Sequence, residues 1–162
     1  LINEETSDAL IHTLFPLAEL ITPNIPEAIA LLGKTGMDIR DAQEGSEEWM
    51  ERAAHHLLAL GSRAVLVKGG HQTVNGDAAS CDVLCIDGNI HWYTGKRIQT
   101  KHTHGTGCTL SAAITANRAQ GIPLEQAVAL AKEYLTGALS TGLSLGKGSG
   151  PLDHGWNIIR RR

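Results

Sequence analysis

Amphipathic helical patterns alternate along this chain with short apolar runs, and this alternation constrains the fold more than any other feature. Apolar residues at helical spacing occur over 8–18, 26–33, 46–60, 107–120 and 124–140. Runs suited to buried strands occur over 19–22, 63–68, 83–87 and 90–94, and 97–100 extends the last of them. The pattern predicts an α/β protein with a mostly parallel sheet. Gly88-Asn89 predicts a hairpin that adds an antiparallel strand or two at one edge.

Composition excludes several classes of protein. Of the 162 residues, 42% are hydrophobic and 19% are charged, as expected of one globular domain with a sizeable core. No apolar run approaches the roughly 20 residues that span a bilayer, and no signal peptide is visible. The net charge of −3 gives no electrostatic reason to expect nucleic acid, and the terminal arginines 160–162 are interpreted as a solvated tail. We therefore expect a soluble protein with neither a membrane nor a nucleic acid as its partner.

The cysteines and histidines do not predict a disulfide framework or a zinc site. Three cysteines are an odd count. Cys81 and Cys85 accompany a short apolar strand at a spacing unlike zinc knuckles, so we interpret them as small core or surface residues in a reducing compartment. His102 and His104 would share one face of a strand, but no third ligand accompanies them, and zinc is disfavoured. Packing is also the default role of the tryptophans, which are Trp49, Trp92 and Trp156.

Residues 104–114, His-Gly-Thr-Gly-Cys-Thr-Leu-Ser-Ala-Ala-Ile, have the pattern of a loop that leads directly into a helix. Gly105 and Gly107 let the backbone approach a ligand closely and adopt conformations that other residues resist. The free N–H groups of the first helical turn and the helix dipole favour an anion there, and phosphate is the simplest candidate. Cys108 lies within reach of that anion, and thiols at helix N-termini are often reactive. The alternative is an ordinary glycine-containing turn before a helix.

Two further polar segments follow predicted strands in the same way. They are residues 24–27 and residues 68–71. Ligands of open α/β sheets bind beyond the carboxyl ends of the strands, where these segments and residues 105–108 are all expected. Their shared position favours a functional interpretation over three unrelated turns.

These segments together resemble the ribokinase-like family, and within it the hydroxymethylpyrimidine/phosphomethylpyrimidine kinases of thiamine biosynthesis. The resemblance is carried by Ile21-Thr-Pro-Asn-Ile-Pro-Glu-Ala28, Val65-Leu-Val-Lys-Gly-Gly-His71, Thr103-His-Gly-Thr-Gly-Cys-Thr-Leu-Ser-Ala-Ala113 and Gly148-Ser-Gly-Pro-Leu-Asp-His154. The four segments occur in the family's order and extend over the whole chain, so the similarity is specific.

The resemblance implies a three-layer α/β/α ribokinase-like fold, of which residues 1–162 are the C-terminal portion of a single domain. The chain begins with Leu1 and lacks the family's glycine-rich N-terminal segment, so we expect a sheet that is incomplete on its N-terminal side. The absent segment carries most of the family's pyrimidine pocket, and the contacts to the substrate ring therefore stay open.

The implied activity is ATP- and Mg²⁺-dependent phosphorylation of 4-amino-5-hydroxymethyl-2-methylpyrimidine, followed by phosphorylation of its monophosphate. The full-length protein is expected to be a cytoplasmic homodimer. A pyridoxal kinase of the same superfamily and a non-catalytic nucleotide-binding module are the alternatives. The Thr-Pro-Asn-x-Pro-Glu-Ala context favours the pyrimidine enzyme.

The resemblance also assigns catalytic roles. Gly105, Thr106 and Gly107 match the family's anion hole, whose backbone amides stabilise charge on the transferring phosphoryl group. Cys108 occupies the position of the group that accepts the proton of the attacking hydroxymethyl oxygen. Because phosphoryl transfer has a loose transition state, positioning should matter more than basicity there. The alternative for Cys108 is a small buried residue at a helix start.

Asn24 and Glu27 match the family's Asn-x-x-Glu element, which holds Mg²⁺ and phosphate, often through water. One carboxylate and one amide are adequate because magnesium keeps several of its own waters. The alternative is that Asn24 caps a helix and Glu27 favours its first turn, and the two roles can coexist.

Lys68 ends a predicted buried strand and offers an ammonium group to nucleotide phosphates, with Gly69 and Gly70 in the same ATP-binding segment. Lys132, on a helix that is otherwise apolar, is similar to a nucleotide-contacting lysine of the family. An exposed strand end for Lys68 and a solvated helix face for Lys132 are the alternatives.

Overall fold

The computed structural model describes residues 4–36, 39, 41–70, 79–100, 103–146 and 148–158. The chain divides into two compact units, Leu1–Lys96 and Arg97–Arg162. The first unit holds a small sheet with helices, and the second holds a pair of helices. That the chain is one portion of a single kinase domain stays a prediction.

The first unit begins with helical segments of three types. Helix α1 (Glu4–Ala9) continues as a π-helical turn over Leu10–Leu14 and a 3₁₀ turn over Phe15–Leu17. The sequence predicted one regular helix over 8–18, but Pro16 has no N–H to donate, so the regular hydrogen-bonding pattern does not continue past it.

Helices α2 (Ile25–Thr35) and α3 (Glu47–Leu58) follow, and local capping sets their boundaries. Helix α2 passes through Gly33, where the sequence predicted its end, and stops at Gly36, which is left-handed with φ 68°. The Ser46 hydroxyl accepts the Trp49 N–H at 3.1 Å and so caps α3, as the acidic first turn predicted.

Three strands form an antiparallel sheet in the order β1 (Ala64–Lys68), β2 (Ala79–Ile86) and β3 (Asn89–Lys96). The predicted hairpin is confirmed, although its two-residue turn is Asp87-Gly88 rather than Gly88-Asn89. Both turn residues have positive φ, 49° and 76°, as the right-handed twist of the flanking strands requires.

The prediction of a mostly parallel sheet is not confirmed. All three strands of the described residues pair antiparallel, since the ten residues 69–78 between β1 and β2 are fewer than a parallel crossover needs. Parallel pairing is limited to two isolated bridges, Ile21 with Val65 and Asn24 with Lys68. The segment 19–22 therefore lies beside β1 without becoming a full strand, and 97–100 does not extend the sheet.

The core of the first unit lies between one face of the sheet and the helices. Val65, Val67, Val83 and Cys85 share this core with the buried residues of α2 and α3, which include Trp49, Met50 and Leu57. Leu66 and Leu84, which alternate with them along β1 and β2, are also fully buried. Because side chains alternate across a strand, both faces of the sheet are buried at these positions.

The second unit packs helix α4 (Thr106–Ala119) against helix α5 (Leu124–Ser140). Leu110 and Ile114 of α4 are buried, as are the residues of α5 that face inward, Ala127, Val128 and Ala131. The segment after α5 packs back against this helix. The Trp156 ring lies so close to Gly137 that a Cβ at that position would overlap it. Tyr134 donates a hydrogen bond to the His154 carbonyl at 3.0 Å. Within the described helices, none combines the length and apolarity needed to cross a membrane.

The burial of Leu57 predicts its contribution to stability. Leu57→Ala should lower the free energy of unfolding by roughly 2 to 5 kcal/mol, because the side chain is fully buried between α3 and the sheet. The matched control is Leu17→Ala at a leucine that is 81% exposed, for which we expect a change within about 0.5 kcal/mol. Urea unfolding followed by tryptophan fluorescence measures both, and equal effects would contradict the packing described.

Candidate active site

The N-terminus of α2 is closed by a reciprocal pair of hydrogen bonds. The Asn24 side-chain oxygen accepts the Glu27 N–H at 2.9 Å, and Glu27 Oε2 accepts the Asn24 N–H at 2.8 Å. Pro26 in the first turn lacks the N–H that would otherwise need a partner. The capping role weighed for these two residues is therefore present. Whether they also hold a metal stays a prediction.

A row of polar side chains crosses the sheet at the carboxyl end of β1. Lys68 is bridged to Asn24 on one side and is the Cα partner of Asp82 on the other, and Asp82 is in turn the partner of Tyr93. Directly paired residues present their side chains on the same face, so Asn24, Lys68 and Asp82 form one row. The structure thus brings together two predicted site residues, and it adds Asp82.

Gly69 follows Lys68 at a position where only glycine fits. A Cβ there would overlap the Cys81 carbonyl and come within 3.1–3.2 Å of the Met50 side chain. Its N–H is shared between the Cys81 carbonyl oxygen and Asp82 Oδ1, each at 3.0 Å. Gly70, with φ 35°, then turns the chain. The predicted Lys68-Gly69-Gly70 segment is therefore a tight turn held against the start of β2.

Asp82 was not identified from the sequence. It is 4% exposed and lies in β2 among the buried residues Cys81, Val83, Leu84 and Cys85. A single acidic residue in an apolar strand is the only local signal that marks it. Its partner Gly69 is 13 positions earlier, so the pairing was not evident from spacing.

The N-terminus of α4 carries hydrogen-bond donors without acceptors. Gly105 is its N-cap at φ 82°, a left-handed conformation, and no side chain caps the helix. The first helical hydrogen bond runs from the Thr109 N–H to the Gly105 carbonyl at 2.8 Å, and the Thr106 N–H contacts the Thr103 carbonyl at 3.4 Å. Within the described part of the chain, the N–H groups of Gly107 and Cys108 have no partner.

This helix end is therefore electropositive and open. The first turn of α4 contains no acidic residue, so its dipole is not compensated by a carboxylate. Nothing lies within 4 Å of the position that a Gly105 Cβ would take, which leaves space beside the turn. Two free amides, an uncompensated dipole and open space suit an anion.

Cys108 is exposed on the first turn of α4, so the alternative of a small buried residue is wrong. The other two cysteines, Cys81 and Cys85, are free and buried, so of the core and surface placements left open by the sequence the structure shows the first. Burial raises the pKa of the Cys85 thiol, opposed by a weaker effect of a hydrogen bond with the Gly88 backbone.

Lys132 lies half-buried on α5, next to the buried Ala131. It has interactions within the structure, so the solvated-face alternative does not describe it fully. Its proposed contact with nucleotide stays a prediction.

The predicted site residues thus fall into two groups. Asn24, Glu27 and the turn at Lys68–Gly70 lie in the first unit, and residues 105–108 with Lys132 lie in the second. No group of three or more His, Cys, Asp or Glu suited to hold a metal occurs among the described residues. His102, the first member of the histidine pair considered for zinc, lies outside them.

Residues 1–153 match the phosphomethylpyrimidine kinase family. The hydroxymethylpyrimidine/phosphomethylpyrimidine kinase of Haemophilus influenzae is 43% identical over 162 residues, which are 99% of this chain and 56% of that protein. A thiamine biosynthesis bifunctional protein of Geobacter sulfurreducens is 47% identical over 95% of this chain and 29% of its own length. The chain therefore spans about half, or less, of the length of these curated relatives.

Solved structures of vitamin kinases share the fold. Pyridoxal kinase from Staphylococcus aureus is 31% identical, with a TM-score of 0.83 over 99% of this chain and 56% of that one. Its ADP complex gives 32% identity and a TM-score of 0.83. A phosphomethylpyrimidine kinase from Clostridium difficile is 35% identical, with a TM-score of 0.60 over 83% of this chain and 48% of that one. The α/β fold of the chain is therefore of the ribokinase-like type.

The different exposure of the three cysteines predicts their order of alkylation. Near neutral pH, iodoacetamide should modify Cys108 first, because it is exposed, whereas Cys81 and Cys85 are buried. The raised pKa of Cys85 keeps its thiol protonated to higher pH, so its labelling should also require more alkaline solution. Peptide mass spectrometry over time measures the order, and the urea-unfolded protein is the control. Equal rates for all three in the folded protein would contradict this arrangement.

Proposed function

The chain belongs to the phosphomethylpyrimidine kinase family, and from this premise we propose that the full-length protein is an ATP-dependent kinase. Its substrates are 4-amino-5-hydroxymethyl-2-methylpyrimidine and the monophosphate formed from it, on the way to thiamine diphosphate. The observation that carries the proposal is the open N-terminus of α4, where Gly105 leaves the amides of Gly107 and Cys108 without partners. We further propose that each full-length subunit has the three-layer α/β/α fold. The protein is proposed to be cytoplasmic and to form a homodimer.

The α4 N-terminus suits the charge that develops in phosphoryl transfer. The transferring phosphoryl group carries negative charge on its three equatorial oxygens as it passes between two others. The N–H groups of Gly107 and Cys108, with the helix dipole behind them, donate to those oxygens. Since the amides belong to a helix, they need no reorganisation when the charge appears. Gly105 and Thr106 complete this anion hole.

Cys108 is the proposed proton acceptor. As the hydroxymethyl oxygen forms its bond to the γ-phosphorus, the bond from that phosphorus to the β–γ bridging oxygen breaks and ADP leaves. The proton of the hydroxymethyl group passes to the Cys108 sulfur in its thiolate form. The exposure of this side chain beside the two free amides supports the role.

The Lys68-Gly69-Gly70 turn and Lys132 are the proposed contacts of the ATP phosphates. Lys68 is half-buried at the carboxyl end of β1, and its ammonium group would neutralise charge on a phosphate bound beyond that strand end. Gly69 packs closely against the Cys81 carbonyl, whereas the exposed Gly70 leaves open space beside the turn. Lys132 is proposed as a nucleotide contact from the family resemblance alone.

The donor set at the α2 N-terminus fits Mg²⁺ that is held largely through water. Glu27 uses Oε2 in the capping box, and within the described residues its Oε1 has no protein partner. Magnesium keeps several waters and needs few carboxylates, which agrees with the absence of a larger cluster among the residues described. When bound, Mg²⁺ neutralises charge on the phosphates. Glu27 and Asn24 would hold its water shell.

Pyridoxal phosphorylation is the second candidate, and one observation favours it. The pyridoxal kinase structure aligns with a TM-score of 0.83, against 0.60 for the phosphomethylpyrimidine kinase structure. Family membership and the names of the curated relatives favour the pyrimidine substrate. A module that binds nucleotide without turnover is the third candidate, which only an assay eliminates.

A substrate assay of the full-length protein with ATP and Mg²⁺ tests both the kinase activity and the role of Cys108 as proton acceptor. Wild type should phosphorylate the hydroxymethylpyrimidine with a higher kcat/KM than pyridoxal. Cys108→Ser should lower kcat by about 10² to 10⁴, with a much smaller effect on the KM for ATP. The matched control is Cys81→Ser, because that thiol is buried beside Thr94 and takes no part in the reaction.

The outcomes separate the claims. A higher kcat/KM for pyridoxal would make pyridoxal the substrate in place of the hydroxymethylpyrimidine. If neither compound were phosphorylated, the non-catalytic nucleotide-binding module would be the remaining candidate function. Turnover of Cys108→Ser within about threefold of wild type would remove the thiolate role while the kinase assignment stands.

The magnesium role of Glu27 is tested by one conservative change. Glu27→Gln should raise the Mg²⁺ concentration at half-maximal activity several-fold, because a neutral amide attracts the ion's water shell less strongly. The helix should persist, since glutamine can also complete the capping box. Glu47→Gln, the same change in the exposed first turn of α3, is the control. An unchanged magnesium titration for Glu27→Gln would leave Glu27 as a capping residue only.

A further inference from the structure

Asp82 is a buried carboxylate that the proposed reaction does not use. It is 4% exposed and lies on β2 between Cys81 and Val83, which are 5% and 0% exposed. Removing a carboxylate from water is costly unless hydrogen bonds or a cation compensate it. An apolar residue would occupy this strand position at a lower desolvation cost. The contacts of Asp82 should therefore explain why an acidic residue is present.

Asp82 contacts the turn that follows β1. Its Oδ1 accepts the Gly69 N–H at 3.0 Å, and the same N–H also reaches the Cys81 carbonyl at 3.0 Å. The Cys81 carbonyl alone would satisfy the amide, so the carboxylate is not required for that purpose. Asp82 therefore adds a charged acceptor to a group that already has a neutral one.

The position of Lys68 explains why a negatively charged residue is present at position 82. Asp82 and Lys68 are Cα partners across β1 and β2, so their side chains share one face of the sheet. An acidic residue directly opposite a lysine favours one placement of its ammonium group. The carboxylate thus accepts the Gly69 N–H and lies on the face of the sheet that carries Lys68.

We propose that Asp82 is a positioning residue for nucleotide binding, which holds Lys68 and the Gly69-Gly70 turn in the arrangement that receives the ATP phosphates. This inference rests on the proposed function, because the turn was assigned there to nucleotide. Asp82 itself does not touch the nucleotide. It should influence nucleotide affinity and leave the chemistry and the pyrimidine site unchanged.

Two substitutions in the natural full-length protein test this role. Asp82→Ala removes the acceptor, and Asp82→Asn keeps an acceptor oxygen of the same shape. Asp87→Asn is the matched control, since it removes the same charge from the hairpin turn at the other end of β2, where asparagine tolerates a positive φ. The measurements are KM for ATP, KM for the pyrimidine, kcat, the equilibrium Kd for ADP and the melting temperature.

We expect Asp82→Ala to raise the KM for ATP and the Kd for ADP about tenfold, because a charge-assisted hydrogen bond is lost. The kcat and the KM for the pyrimidine should stay within threefold of wild type. Asp82→Asn keeps the acceptor oxygen but loses the charge, so it should recover only part of the ADP affinity, and Asp87→Asn should match wild type. A purely structural role would lower the melting temperature without this selective loss of nucleotide affinity, and that result would overturn the proposal.

If Asp82→Ala does not fold, the test uses Asp82→Asn and compares its KM for ATP, its Kd for ADP, its kcat and its KM for the pyrimidine with those of wild type. A kcat lowered with unchanged ADP affinity, or a rise in the pyrimidine KM alone, would overturn the proposal. The ADP titration needs no turnover, so it separates this inference from the proposed activity. If wild type bound ADP but phosphorylated neither substrate, the proposed activity would be refuted. The positioning role of Asp82 would then be judged from the Kd for ADP alone.

Discussion

Strand β1 is hydrogen-bonded along both of its edges, and the first unit is organised around it. On one side the segment before α2 supplies the carbonyls of Ile21 and Pro23, which accept the Leu66 and Lys68 N–H groups at 2.8 and 2.9 Å. On the other side β2 pairs with it in antiparallel register. Because both edges end at Lys68, the start of α2, the end of β1 and the start of β2 meet there. Residues from three distant parts of the sequence become neighbours in consequence.

Two glycines allow backbone at the proposed site to come close to other groups, and for different reasons. Gly69 has no room for a Cβ against the Cys81 carbonyl, whereas Gly105 has open space but a φ of 82°. The first is a restriction of packing and the second is one of conformation. Gly105 leaves the N–H groups of Gly107 and Cys108 open to an anion, whereas the Gly69 N–H is already accepted by the Cys81 carbonyl and by Asp82 Oδ1. Gly69 therefore fixes the shape of the turn after β1, and anion binding is supported by the N-terminus of α4.

The capping box at α2 illustrates how a structural role and a proposed functional one coexist. Asn24 and Glu27 each satisfy an N–H at the helix start, and this also fixes where the second Glu27 oxygen, Oε1, lies. A ligand set that is already held by hydrogen bonds loses little freedom when an ion arrives. The interactions that stabilise α2 would in that way prepare the proposed magnesium site.

The sequence by itself determined the features that depend on neighbours within a few residues. These are the cap at Ser46, the Asn24–Glu27 pair, the loop that leads into α4 and the β2–β3 hairpin, since each is specified by local hydrogen bonding and allowed φ. The sequence did not show that β1 and β2 pair antiparallel, because apolar runs look alike in parallel and antiparallel sheets. Only the tertiary structure placed Asp82 against Gly69, 13 residues away, and beside Lys68. Cross-strand register decides which side chains share a face, and no local pattern in the chain encodes that register.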